Sequence, residues 1–329
     1  PLDRVAPDPA RVAEAADLLA NAERPLVIAG GGVHSSGGCA ELAELQEACS
    51  LPVATTTMGK GTVSERHPLS VGIVGYYMGF NGRTHHLRDL VTEADVVLLV
   101  GNRTNQNGTD SWKLYPKDAR YIQIDIDGEE IGRNYEALRL AGDARLALAA
   151  LSDELKKRDL ARRQAGRKAL EDKIADGHAK FLAGSEALRT SSRAPIRPER
   201  LMEELAPRLR ADDIVVADAS YSSNWISNYL VAEEAGQRFL TPRGLAGLGW
   251  GLPMAMGAKV GNPDKRIICL AGDGGFAHCW VELETARRMG LAVTLMVLNN
   301  QILGYQKHAE SLRFGMHTDA VHFEPVDHA

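Results

Sequence analysis

Two stretches decide how this chain folds: Arg266-Ile267-Ile268-Cys269-Leu270-Ala271-Gly272-Asp273-Gly274-Gly275, and Val293-Thr294-Leu295-Met296-Val297-Leu298-Asn299-Asn300 downstream. Each is a short apolar run ending in small or polar residues, as strands buried on both faces do. Between them, Ala277 to Met289 reads as a helix. Strand, helix and strand in that order predict neighbouring parallel strands. Asp273 and Asn300, 27 positions apart, then face each other at the carboxyl ends of those strands. That edge is where open α/β sheets bind ligands. One carboxylate, one amide carbonyl and a free backbone carbonyl suit a hard cation such as magnesium, which keeps positions for phosphate oxygens. Gly274 and Gly275 let backbone N–H groups approach an anion, and the helix N-terminus adds partial positive charge. Read alone, Gly-Asp-Gly is also a common tight turn, and strand-terminal Asn pairs also serve as caps. Both features at this distance point to a metal and a diphosphate.

Upstream the same alternation continues. Helix Ala10 to Ala22, strand Pro25 to Ala29, helix Gly38 to Ala48 and strands Leu51 to Thr55, Val96 to Val100 and Tyr121 to Ile126 predict a first parallel sheet. A helix from Leu146 to Lys157 closes that domain, at residues 1–155. Residues 156–195, dense in Arg, Lys, Glu and Ala, read as an exposed helical linker. Strand Ile214 to Ala217 opens a second domain, residues 196–329. The fold class expected is α/β, two doubly wound parallel-sheet domains.

The bulk numbers exclude several classes. At 329 residues the chain has room for two domains, and 44% apolar with 25% charged residues is ordinary globular composition. A net charge of −5 and no basic block set aside nucleic acid as a partner. No apolar run is long enough to span a membrane, and the N-terminus lacks a signal-peptide pattern. The four cysteines show no C-x-x-C spacing and read as small buried hydrophobes. A cytoplasmic protein is expected. Pro1, where an initiator Met would stand, predicts a start partway into a longer gene product.

With GDGG, the spacing and NN on the page, the chain resembles thiamine diphosphate enzymes of the acetolactate synthase-like group. The resemblance covers nearly all of it, most strongly Thr241 to Tyr305, and is clear in Pro25 to Gly61 and Ile122 to Asn134. It implies thiamine diphosphate and Mg2+ as cofactors, the first domain as the central Rossmann-like one, and the second as the diphosphate-binding one. Asp273, the Asn300 side chain and the Ile302 carbonyl would ligate the metal. Gly272, Gly274, Gly275, Leu303, Gly304 and the turn Ala219-Ser220-Tyr221-Ser222 would surround the diphosphate. Gly244 to Gly251 matches the stretch that grips the aminopyrimidine. There the Ala246 carbonyl, Gly247 and the Leu248 N–H approach the ring, and the Leu248 side chain bends the cofactor. Without the resemblance Leu248 reads as a core leucine, although five surrounding glycines favour close backbone approach to a ligand.

The resemblance also breaks in places. The domain that would supply a glutamate to the pyrimidine is expected outside this stretch, in another chain or elsewhere in the gene product, so that catalytic group is unknown here. The chain is expected to stop before its second domain is complete. Ala309 stands where acetolactate synthases carry a tryptophan, and Tyr305 where they carry a methionine. Tyr305 and His308 are the candidates for the substrate side. His34 and His278 read as acid–base candidates or as packing residues. Polar residues 101–109 replace the acidic, Arg-bearing loop of flavin-binding members, so FAD or an adenine nucleotide is not predicted. Gly30-Gly31-Gly32 lacks a full dinucleotide fingerprint. The reaction implied is decarboxylation or carboligation of a small 2-oxo acid. The alternatives are an acyl-CoA lyase or decarboxylase of the oxalyl-CoA decarboxylase type, or a cofactor-binding half inactive without a separate pyrimidine-domain chain. A homodimer or tetramer is expected.

Overall fold

The computed structural model describes residues 3–328. They divide into two compact units. The first takes in the chain up to Ala187 together with Val231–Gln237, the second Leu188–Leu230 and Arg238 onward.

In the first unit six strands form one parallel sheet: β1 (Pro25–Ala29), β2 (Val53–Thr55), β3 (Ser70–Ile73), β4 (Val96–Val100), β5 (Arg120–Asp125) and β6 (Ala137–Ala141). Their order is β3-β2-β1-β4-β5-β6, the doubly wound arrangement expected. Alternation along β1 shows why its five residues are all apolar. Val27 and Ala29 pack under helices Pro9–Asn21, Cys39–Ala48 and Ala144–Leu155. Leu26 and Ile28 face the opposite core with Met78, Leu87, Val91 and Ile174. A strand buried on both faces needs no polar alternate.

Strands β3 and β6 escape the sequence reading, each for a physical reason. The first is four residues long and holds Gly72; the second is an edge strand with Arg139 and Ala141 exposed. The stretch read as a linker contains one 29-residue helix, Ala161–Arg189. It buries Ile174, Gly177, Phe181 and Ser185, with Gly177 against Leu87.

The second unit carries β7 (Ile214–Ala217), β8 (Phe239–Leu240), β9 (Ile267–Gly272) and β10 (Thr294–Leu298), all parallel, in the order β10-β9-β7-β8. Ile214, Val216, Ile267 and Cys269 pack under the helix Gly251–Gly261 on one face. Ala271, Phe276 and Cys279 pack with Leu252 and Met256 of that helix in a second cluster. The helix expected over Ala277 to Met289 is in fact two, Asp273–Ala277 and Glu282–Arg288. Between them Cys279, Glu282, Leu283 and Glu284 bond three residues back, so the path tightens where bulky Trp280 and β-branched Val281 weaken helix propensity. All four cysteines are free, and burial pushes the Cys269 thiol up to about 12. Among the described residues no helix is long and apolar enough to cross a membrane.

Candidate functional site

The second sheet changes direction between β7 and β9, since the chain runs from β7 outward to β8 and returns to the far side. Such a switch point leaves a crevice at the carboxyl ends of the strands. Three loops leave that edge: Asp218 onward after β7, Asp273 after β9, and Asn299-Asn300 after β10. Register aligns Leu298 with Gly272, so the last two start side by side.

Asp273 is 5% exposed and joins those loops. Its Oδ1 accepts the Gly274 N–H at 2.9 Å, and its Oδ2 accepts the Gln301 N–H at 2.6 Å. Gln301 takes φ +57°, a left-handed turn that swings the loop over the carboxylate. The Asn300 Oδ1 accepts the Ile302 N–H at 3.3 Å. The Ile302 carbonyl accepts the Gly304 N–H at 2.9 Å, which leaves one of its two lone pairs. Gly274 sits under Leu303 and Phe323; a β-carbon there would meet each at 2.8 Å. At Gly275 it would meet the Asp218 Oδ2 at 2.2 Å. Both glycines are thus required for close packing of loop on loop.

The turn after β7 is strained. Ser220 holds φ +69° and ψ −144°, a region favouring glycine, and strain of this kind concentrates at functional sites. Ser222 is buried, and a β-carbon on Gly272 would lie 3.8 Å from its Oγ. Tyr221 lies against Gly304, its ring 5.5 Å from that of Tyr305, and its hydroxyl bonds the His308 Nδ1. The two substrate-side candidates therefore gather on one tyrosine, beside the loop that carries Asn300.

Asp218 is the residue that sequence reasoning passed over. It is 1% exposed and accepts N–H bonds from Ala219 at 2.7 Å, Gly249 at 3.0 Å and Trp250 at 3.2 Å. One buried carboxylate ties the turn after β7 to the base of the glycine-rich arm and touches the Asp273 loop through Gly275. The available signal was its position: like Asp273, it follows an apolar strand directly. Beyond Gly249 the arm runs free. Ala246 has φ +49°, a β-carbon on Gly247 would meet nothing within 4 Å, and Leu248 is 39% exposed. Ala246, Gly247 and Leu248 thus stand apart from the Asp273 cluster, and Leu248 is not a core leucine. His278 packs its β-carbon against Gly249, and His34 bonds the Lys60 carbonyl at 2.9 Å.

The donors at the Asp273–Asn300 edge are all oxygens, one carboxylate and neutral carbonyls, which is the set that magnesium sharing a diphosphate needs. Among the described residues no group of three or more His, Cys, Asp and Glu is placed to hold a metal ion.

Comparison with known proteins gives two matches to family models. Residues 12–151 match the thiamine pyrophosphate enzyme central domain, and 218–329 the C-terminal TPP-binding domain of the same family. A probable acetolactate synthase large subunit of Methanococcus aeolicus is 32% identical over 328 residues, covering 96% of this chain and 53% of that protein. One from Methanocaldococcus jannaschii is 33% identical over 325 residues, 95% of this chain and 52% of the relative. A probable 2-ketoarginine decarboxylase of Pseudomonas aeruginosa is 34% identical over 296 residues, 88% and 48%. The chain spans about half the length of the curated relatives it matches.

Proposed function

Because this chain belongs to the thiamine pyrophosphate enzymes, we propose that it forms the diphosphate side of a magnesium-dependent 2-oxo acid decarboxylase or carboligase. The observation that carries the reading is Asp273. It is a buried carboxylate at a sheet switch point, tied by the Gln301 N–H to the loop that carries Asn300.

In this reading Asp273, the Asn300 side chain and the Ile302 carbonyl hold Mg2+. The Ser220 and Ser222 hydroxyls and the Gly275 amide would donate to the diphosphate. Thiamine diphosphate would supply the carbon nucleophile and the electron sink that cleave a bond next to a carbonyl. Asp218 keeps the three surrounding loops in register, so that donors need not reorganise when the charge arrives. Leu248, exposed on the glycine-rich arm, offers apolar surface to the cofactor's ring. Tyr221 and His308 are hydrogen-bonded beside the substrate side, with Tyr305 next to them. A decarboxylase of a 2-keto acid among the relatives supports this substrate class.

The proposal includes a pyrimidine-binding domain from outside these residues and an assembly of more than one chain. Trp280, Val281, Leu283 and Met289 are exposed apolar side chains close together in sequence, the surface composition that an interface covers. Calorimetric titration with thiamine diphosphate tests the reading. Binding should require Mg2+ and vanish in Asp273→Ala. Equal binding without magnesium, or by the variant, would sink it. Carbon dioxide release from a panel of 2-oxo acids, measured on the full gene product, then reads the reaction class.

A further inference from the structure

Behind the Asp273–Asn300 edge the chain makes an excursion and returns. From Gly304 it runs through the helix Gly304–Phe314, turns, and comes back beside its own starting loop. The return is pinned by backbone: Leu303 N–H to the Val321 carbonyl at 2.8 Å, Phe323 N–H to the Gln301 carbonyl at 2.9 Å, and an antiparallel bridge between Ile302 and His322. Within this strap the His317 and His322 side chains meet, Nε2 to Nε2 at 3.4 Å.

That distance is informative. It is long for a hydrogen bond between nitrogens. Two imidazole nitrogens bound tetrahedrally at about 2.1 Å stand about 3.4 Å apart. A square-planar ion with adjacent imidazoles would bring them to about 2.8 Å. The His317 Nδ1 lies 3.4 Å from the Ser311 Oγ. The tautomer that donates Nδ1–H to Ser311 leaves the Nε2 lone pair directed at His322, the outer contact that typically orients a ligating histidine. Glu310 receives the Thr318 N–H at 2.8 Å and the Gln306 amide at 2.8 Å, which fixes the turn and puts a carboxylate near the pair. His322 is exposed, so an ion can reach it.

We propose that His317 and His322 form a clamp for a tetrahedral transition-metal ion, zinc by geometry, with solvent completing the shell. No third His, Cys, Asp or Glu joins the pair among the described residues, so the ion is exchangeable and not a structural centre. Closing the clamp would tie the turn after the helix Gly304–Phe314 to His322, which bridges Ile302 on the loop that carries Asn300. This site takes nitrogen ligands and is independent of the oxygen donors around Asp273.

The test is zinc titration of the untagged, metal-stripped chain in buffer with excess magnesium. One equivalent should bind, and His317→Ala and His322→Gln should each weaken it about tenfold or more, while Ser311→Ala weakens it less. Co2+ in place of zinc should give the intense visible bands of a tetrahedral ion, lost in either variant. Asp273→Ala should keep zinc binding, which separates failure here from failure of the magnesium reading. Circular dichroism on each variant checks that it folds. Absence of binding would overturn the proposal. So would binding that survives both histidine substitutions or follows the adjacent pair His85 and His86.

Discussion

The two sheets share one architecture and differ at the edge where ligands bind. In the first, the switch point lies between β1 and β4, and the chain packs that edge with its own backbone. Gly32 and Gly101 meet so closely that a β-carbon on either would come within 2.6 Å of the other's backbone; on Gly30 it would fall 2.2 Å from the Gly101 carbonyl oxygen. The second switch point is lined by Asp218, Ser222 and Asp273, all buried, with Ser220 and Gln301 at positive φ around it. Glycines pack loop on loop in both units, and the second adds the buried carboxylates Asp218 and Asp273 at its switch point. Function follows the loops, not the sheet.

The largest effect should come from breaking the first unit's deeply buried pair. Lys60, 1% exposed, lies 2.5 Å from Glu65, whose carboxylate also receives the Ala232 N–H at 2.9 Å. Lys60→Met leaves Glu65 buried without its partner, at a cost of about 3–5 kcal/mol. Hydrogen exchange of β1 and β4 amides should show the loss there and not in β9. Adding Glu65→Leu should recover most of it. If the single variant exchanges like wild type, the first unit is not held as described.

Next comes the second unit's counterpart. Asp218→Ala strands the N–H groups of Ala219, Gly249 and Trp250, a loss of about 2–3 kcal/mol. Exchange should now rise in β7 and β9 and stay unchanged in β1. Asp218→Asn, which keeps one acceptor, should fall between the two. Equal effects in both sheets would erase the contrast between them.

How much of this was legible beforehand follows the same contrast. Strands such as β1 and β4 are apolar along their whole length because both faces are buried, so their limits could be read to the residue. The motif around Asp273 was legible because chemistry restricts its residue types. Asp218 was not, because its importance lies in three backbone amides that converge only after folding. Nor was the split after Ala277, where a helical pattern continues but the hydrogen bonds reach back three residues instead of four. The His317–His322 contact depends on a backbone bridge that periodicity does not announce.

A smaller effect of opposite sign tests what the strain at Ser220 is for. Ser220→Gly removes a side chain from φ +69° and should stabilise the second unit by about 1 kcal/mol, because the relieved strain exceeds the added chain entropy. If thiamine diphosphate binding falls while stability rises, the Ser220 hydroxyl is a ligand donor as well as a strained residue. If both rise, the strain is only a cost.

The smallest effect belongs to the surface of the first unit, and its value lies in its pH dependence. Hydrogen bonds from Arg167, then from His67, hold the Glu47 carboxyl down at about 2. Its pKa is lowered on folding, so the pair stabilises above the unfolded value, near 4.5, and that contribution is lost as pH falls toward 2. Glu47 is largely exposed, so solvent screening keeps the gain below about 1 kcal/mol. Glu47→Gln should therefore melt slightly below wild type at pH 7 and converge with it in acid, with the difference also shrinking at high salt. A difference that grows on acidification would mean that Glu47 is stabilised protonated, and the sign of the argument would be wrong.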